Sequence, residues 1–302
     1  MRPTALAALL LMLATGAAAK PQVEISFAKS SFADFLFYVL DRNVGPYEDL
    51  SRAVPLSDVP TFEGSSFLPQ AAILSHVSQY RQLYEHVAEE DDHVRLTEIL
   101  HKAEPHYAAF YSYWRMHISP QEDRVEREWR LQNRNQPPVA KLEELERLSF
   151  PFSTIKVDLM ALQPQGSSMQ GPPTIFTTLA VPSLAWAVGH EGTHMMLGPK
   201  GADWRSRPNG AEAAARMKAA GGSEYDVEEA LCLLMQAKLS IAAGMTPQDY
   251  RTSAGLKASP RKTLLLALER DWTLYLDRPG INAADWLIEE TARTFPAAGV
   301  AR

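Results

Sequence analysis

Two histidines four residues apart enclose a glutamate in His190-Glu191-Gly192-Thr193-His194. This spacing constrains the chain more than any other feature, because side chains at i and i+4 share a face only where the backbone between them is helical. On a helix both imidazoles stand one turn apart, where they can reach a single ion, and Glu191 projects beside them. Gly189 and Gly192 lie in the same helix, where each costs about 1 kcal/mol relative to alanine. A helix that keeps two glycines predicts another backbone packed close against it.

The periodicity around this helix changes twice. From Ser31 to Phe150 apolar residues recur at three- and four-residue steps, as in Phe32, Phe35, Leu36, Val39 and Leu40, with Ser30 or Ser31 available as a cap. Helices are expected over 69–90, over 92–117 with a break at Pro105, and over 120–148 with a break at Pro137-Pro138. Ile155–Leu159 then alternates apolar and polar, and Thr174–Leu179 is β-branched and aromatic, so both read as strands around a loop at 164–173. Pro182-Ser183 opens the motif helix, which stops at Gly198-Pro199. Further helices are expected at 209–219, 224–243, 247–253, 260–276 and 282–294.

Composition narrows the class. Of 302 residues 46% are hydrophobic and 22% charged, enough apolar material for a buried core, and disorder falls away. The net charge of −6, with no long basic run, argues against nucleic acid as a partner. Cys232 is the one cysteine, which excludes an internal disulfide and a cysteine-only zinc site. Arg2, the apolar run Leu6–Ala14 and Ala17-Ala18-Ala19 read as a cleaved secretory signal over 1–19, so a secreted or periplasmic location is expected, with no membrane span after cleavage.

His190-Glu191-Gly192-Thr193-His194, on a helix that follows a strand, resembles the signature of zincin metallopeptidases. The metzincin branch places a third histidine six residues after the second; that position holds Lys200, and no histidine follows His194. The gluzincin branch takes a glutamate from a later helix, and Glu229-Ala230-Leu231-Cys232 resembles that pattern best, with Glu228 as the alternative. Small residues there would let the two helices approach closely. The Asn-Glu-x-x-x-Asp signature of the thermolysin type and the Gly-Ala-Met-Glu-Asn box of the aminopeptidases are absent, so no narrower family is indicated, and nothing over 20–150 resembles a particular family.

The resemblance implies Zn2+ held by His190, His194 and Glu229, and a water whose proton Glu191 takes as general base. Tyr225, one turn before Glu229, is a candidate donor to the developing oxyanion, with a half-buried packing role as its alternative. Thr174–Leu179 is either the edge to which an extended peptide adds or an interior strand. Cys232 is expected to be buried beside the site, without a nucleophilic role. The six other histidines all lie in the helical first half, where packing or surface roles suit them better than a place in the cleft.

The expected fold is α+β, a mostly helical zincin-like arrangement with a small β-sheet before the active-site helix. Residues 20–149 form a helical N-terminal region and 150–302 the catalytic region. The expected function is that of a secreted zinc-dependent metallopeptidase acting on a peptide or protein substrate. A catalytically inactive zincin scaffold that binds a partner, and a zinc hydrolase of a non-peptide amide, are the alternatives.

Overall fold

The computed structural model describes residues 22–42, 44, 46–62, 80–87, 93–162, 167–169, 173–246 and 259–297. The leader at 1–19, residues 69–79 and 88–90 of the helix expected over 69–90, and the helix expected at 247–253 lie outside the described residues.

Among the described residues four strands form one sheet in the order β1-β2-β4-β3: β1 (Glu24–Lys29), β2 (Thr154–Met160), β3 (Ser167–Met169) and β4 (Thr174–Thr178). β1 and β4 both run parallel to β2, with Ile25 opposite Ile155 and Val157 opposite Ile175. β3 pairs antiparallel with β4, Ser168 lying opposite Phe176. β2 and β4 are the two expected strands, the first read from alternation and the second from its β-branched and aromatic run. β1 adds a strand that the reading above lacks, although Val23, Ile25 and Phe27 alternate with polar neighbours. β3 corrects the expected loop: Ser-Ser-Met carries no β-branched residue, and pairing with β4 rather than propensity makes it a strand. The same pairing places β4 in the interior and β3 at the edge, which decides against Thr174–Leu179 as the free edge.

The sheet separates two apolar cores, since successive side chains of a strand point to opposite faces. Ile155, Val157, Leu159 and Ile175 enter one core; Met160 and Phe176 enter the other. The second core is built on α1 (Ser31–Asp41), whose first turn is capped by Ser30 Oγ accepting from Ala33 N at 3.2 Å. A cap of this kind contributes about 1 kcal/mol. Around α1 lie α2 (Leu50–Ala53), α3 (Arg81–Val87), α4 (His93–Ala103) and α5 (Tyr107–Tyr113), with the break at Pro105 as expected. A π-helical turn, Trp114–Ile118, carries α5 into α6 (Ser119–Asn135), and Pro137-Pro138 separates that helix from α7 (Pro138–Glu146).

The first core holds the motif. α8 (Leu184–Ala187) starts at Ser183, whose Oγ accepts from Trp186 N at 3.1 Å. A π-helical turn over Val188–Gly192 follows, then α9 (Thr193–Leu197), so the helix expected to be regular is widened where it carries His190 and Glu191. α10 (Gly210–Ala219) leads to α11 (Glu224–Ala242), opened by a capping box of Ser223 and Asp226. Asp271 divides the helix expected at 260–276 into α12 (Pro260–Arg270) and α13 (Trp272–Leu276), and α14 (Ala283–Thr294) closes the set. Val227, Ala230, Leu231, Leu234 and Met235 are fully buried, so α11 runs through the core rather than over it. Arg147, in the left-handed region at φ 54°, donates to the carbonyls of Tyr275, Leu276, Arg278 and Ile281 and ties the end of α7 to the C-terminal helices. No helix among the described residues is long and apolar enough to cross a membrane.

Candidate metal centre

The motif turn can sit against α11 because Gly189 has no side chain. A Cβ added there would stand 2.7 Å from Cα of Gln236, inside van der Waals contact with backbone. Gly192 meets a side chain instead, its added Cβ falling 2.8 Å from Leu142 Cδ2. The close backbone approach expected from the two glycines therefore belongs to Gly189.

This approach brings His190, His194 and Glu229 together, with one ligand atom from each lying within 4.8 Å of the others. Glu229 Oε1 is 3.0 Å from His194 Nε2 and 3.5 Å from His190 Nε2. The other ring nitrogens are held from behind. His190 Nδ1–H donates to Gln236 Oε1 at 3.1 Å, and His194 Nδ1–H donates to Glu228 Oε1 at 2.7 Å. Both imidazoles thus turn Nε2 toward the same carboxylate, and their tautomers follow from the partners of Nδ1. The alternative between adjacent glutamates is decided by this geometry: Glu229 faces the two Nε2 atoms, while Glu228 lies on the far side of His194. Glu228 Oε2 also accepts from Trp204 Nε1 at 3.1 Å and pairs with Arg205 at 2.9 Å.

Electrostatics follow this division. Burial opposes ionisation of Glu229, but hydrogen bonds from His190 and His194 outweigh it and hold the carboxyl well below its ordinary range. Burial opposes charge on His194, yet the ionised Glu228 and Glu229 carboxylates on its two ring nitrogens raise its pKa far above that of a free imidazole. Two imidazoles with one nitrogen each already held, and one carboxylate with an oxygen directed at both, make the donor set that zinc takes when one coordination position is left open. The residues present fit Zn2+.

The remaining expected residues fall as follows. Glu191 is 2% exposed, in the π-helical turn between the ligands. Tyr225 is 55% exposed and lies parallel to the His194 ring, with centroids 5.9 Å apart and planes at 5°. Burial, followed by the neighbouring Glu229 carboxylate, pushes its hydroxyl up. Cys232 is fully buried, and burial pushes its thiol up, in keeping with no nucleophilic role. His101 pairs with Tyr84, His106 with Asp58, and His117 lies against Tyr113, all away from the cluster.

Four residues that shape the site escape a reading of motifs: Gln236, Trp204, Arg205 and Arg261. Arg261 Nε binds Asp226 at 2.7 Å, and its Nη1 stands 3.5 Å from Glu229 Oε2. Gln236 had a usable signal, since it follows Glu229 by seven residues and so shares its helical face. The others come from separate elements, and no spacing reveals them.

Comparison of the chain with protein-family models, with curated proteins and with solved structures returns no match. A buried His190-Glu191-x-x-His194 joined by Glu229 from a following helix matches the active site of a gluzincin-type zinc metallopeptidase.

Proposed function

We propose that this chain is an exported zinc-dependent metallopeptidase that hydrolyses peptide bonds, with 150–302 as its catalytic region. The observation that carries the reading is the convergence of His190 Nε2 and His194 Nε2 on one carboxylate oxygen of Glu229, with both Nδ1 atoms held from behind. Zinc bound by these three residues supplies a Lewis acid that acidifies water and polarises a carbonyl. Glu191 accepts the proton of the attacking water and returns it to the leaving nitrogen, the role its place between the ligands suits. Tyr225, stacked on His194, offers its hydroxyl to the carbonyl oxygen as negative charge develops there. A peptide as substrate is supported by β3, an antiparallel edge strand close to the motif turn, where an extended chain can add by backbone hydrogen bonds. Export is supported by the leader-like composition of 1–19.

The test is zinc content and cleavage of an unstructured protein such as casein by residues 20–302, beside Glu191→Gln and Tyr225→Phe. Glu191→Gln is expected to keep about one zinc and lose hydrolysis, and Tyr225→Phe to lose roughly 10²-fold in kcat. Equal zinc in all three with no cleavage of any peptide mixture would sink the peptidase reading and leave a zinc-binding scaffold.

A further inference from the structure

Glu146 ends α7 beneath the motif turn, is fully buried, and takes part in no step of the proposed hydrolysis. Its Oε1 stands 2.5 Å from Thr193 Oγ1, and the same hydroxyl stands 2.7 Å from the carbonyl oxygen of Gly189. Thr193 is also fully buried. A hydroxyl carries one hydrogen, and a carbonyl or an ionised carboxylate can only accept. An ionised Glu146 would therefore compete with Gly189 for a single hydrogen. A protonated Glu146 removes the conflict: its O–H donates to Thr193 Oγ1, which donates to the Gly189 carbonyl.

The surroundings favour the same protonation. Glu146 Oε2 has no hydrogen-bond partner among the described residues, which a buried carboxylate tolerates poorly. The adjacent cation, Arg147, is directed to four backbone carbonyls. From the packed elements, His194 and Tyr275 act on Glu146 through space. Burial pushes the Glu146 carboxyl up to about 8, against the opposing pull of Thr193 and His194.

We propose that Glu146 is a positioning residue, a neutral carboxylic acid that donates through Thr193 to the Gly189 carbonyl and so fixes the turn carrying His190 and Glu191. Gly189 is where the motif turn meets α11, so a relay ending on its carbonyl sets the height of His190 against Gln236 and Glu229. The effect on metal rests on the zinc reading above, whereas the protonation does not.

Two measurements separate these. Infrared difference spectra of the metal-free protein, wild type minus Glu146→Gln, are expected to show the carbonyl stretch of a protonated carboxylic acid at about pH 6 and to lose it at about pH 10. A band absent at pH 6 overturns the assignment, and a band that persists at pH 10 keeps it, the Thr193 variants below then deciding the relay. Zinc affinity is then measured by competition with a chromophoric chelator. Between about pH 7 and pH 9.5 the wild type is expected to weaken by roughly tenfold relative to Glu146→Gln, whose amide donates at every pH. Parallel profiles overturn the positioning role. Should Glu146→Gln fail to fold, Thr193→Val against Thr193→Ser decides: Thr193→Ser retains the hydroxyl and wild-type affinity, Thr193→Val loses roughly tenfold, and equal affinities overturn the relay. A wild type that binds no zinc at any pH defeats the zinc reading, and the infrared result still decides the protonation.

Discussion

His194 directs Nδ1 at Glu228 Oε1 across 2.7 Å. Because Nε2 of the same ring faces Glu229, two adjacent glutamates share one imidazole, one orienting it and the other completing the ligand set. Glu228→Ala is expected to weaken zinc binding by about 10–100-fold, the usual cost of removing an outer partner of a metal-ligating histidine. Glu228→Gln loses less, because its amide oxygen still accepts from Nδ1–H. Glu229→Ala loses more than either, since a ligand itself is gone. Chelator competition across the three variants checks the order, and a larger loss at position 228 than at 229 would reverse the assignment.

Zinc should stabilise the folded chain by mass action, because three ligands from two helices converge only in the native state. At a free zinc concentration about 100 times Kd the gain is about 2.7 kcal/mol. Chemical denaturation with and without zinc measures it. His194→Ala is expected to abolish the zinc-dependent part.

At Gly189 helix propensity and packing oppose one another. Alanine gains about 1 kcal/mol from propensity, yet its Cβ would stand 2.7 Å from Gln236 Cα, and overpacking of a rigid contact costs about 1–3 kcal/mol. Packing prevails, because the neighbour is backbone. Gly189→Ala is expected to lower the denaturation midpoint and weaken zinc binding together, by parting His190 from Gln236. A stabilised variant with unchanged zinc affinity would contradict this.

Away from the site, Asp34 and Glu122 share a buried pocket between α1 and α6. Asp34 accepts from Leu162 N at 2.9 Å and Trp114 Nε1 at 3.0 Å, whereas neither carboxyl oxygen of Glu122 has a hydrogen-bond partner among the described residues. Burial, followed by the charge of Asp34, raises Glu122 well above the carboxylate range, and burial pushes Asp34 up to about 6. Both folded pKa values exceed the unfolded ones, so the folded chain binds more protons. The stability contributed by these groups is full below about pH 4 and is lost as pH rises through 6 and beyond. Glu122→Gln is expected to match the wild type in Tm near pH 4 and to exceed it by about 2–4 °C near pH 8. Melting curves at both values test it, and a pH-independent difference would refute it.

Much of the helical framework and the His190-Glu191-x-x-His194 set was legible in the sequence. Helix periodicity, proline breaks and i,i+4 spacing act over a few residues and need no knowledge of distant partners. Ser30, Ser183 and Ser223 cap where local spacing places them. The widened turn at Val188–Gly192 was not legible, and neither was the strand character of Ser167–Met169. The strand exists through its pairing with β4, and the turn carries Gly189, whose backbone packs on α11. In the sequence the pattern Glu229-Ala230-Leu231-Cys232 pointed to Glu229 and left Glu228 as the alternative. Adjacent positions on a helix differ by about 100° in direction, so the crossing of α11 over the motif turn decided which one meets the two imidazoles. Arg205, Arg261 and Glu146 reach the site from three further elements, and only the tertiary structure brings them there. Local spacing determines what each segment can present; the packing of distant segments determines which atoms face one another.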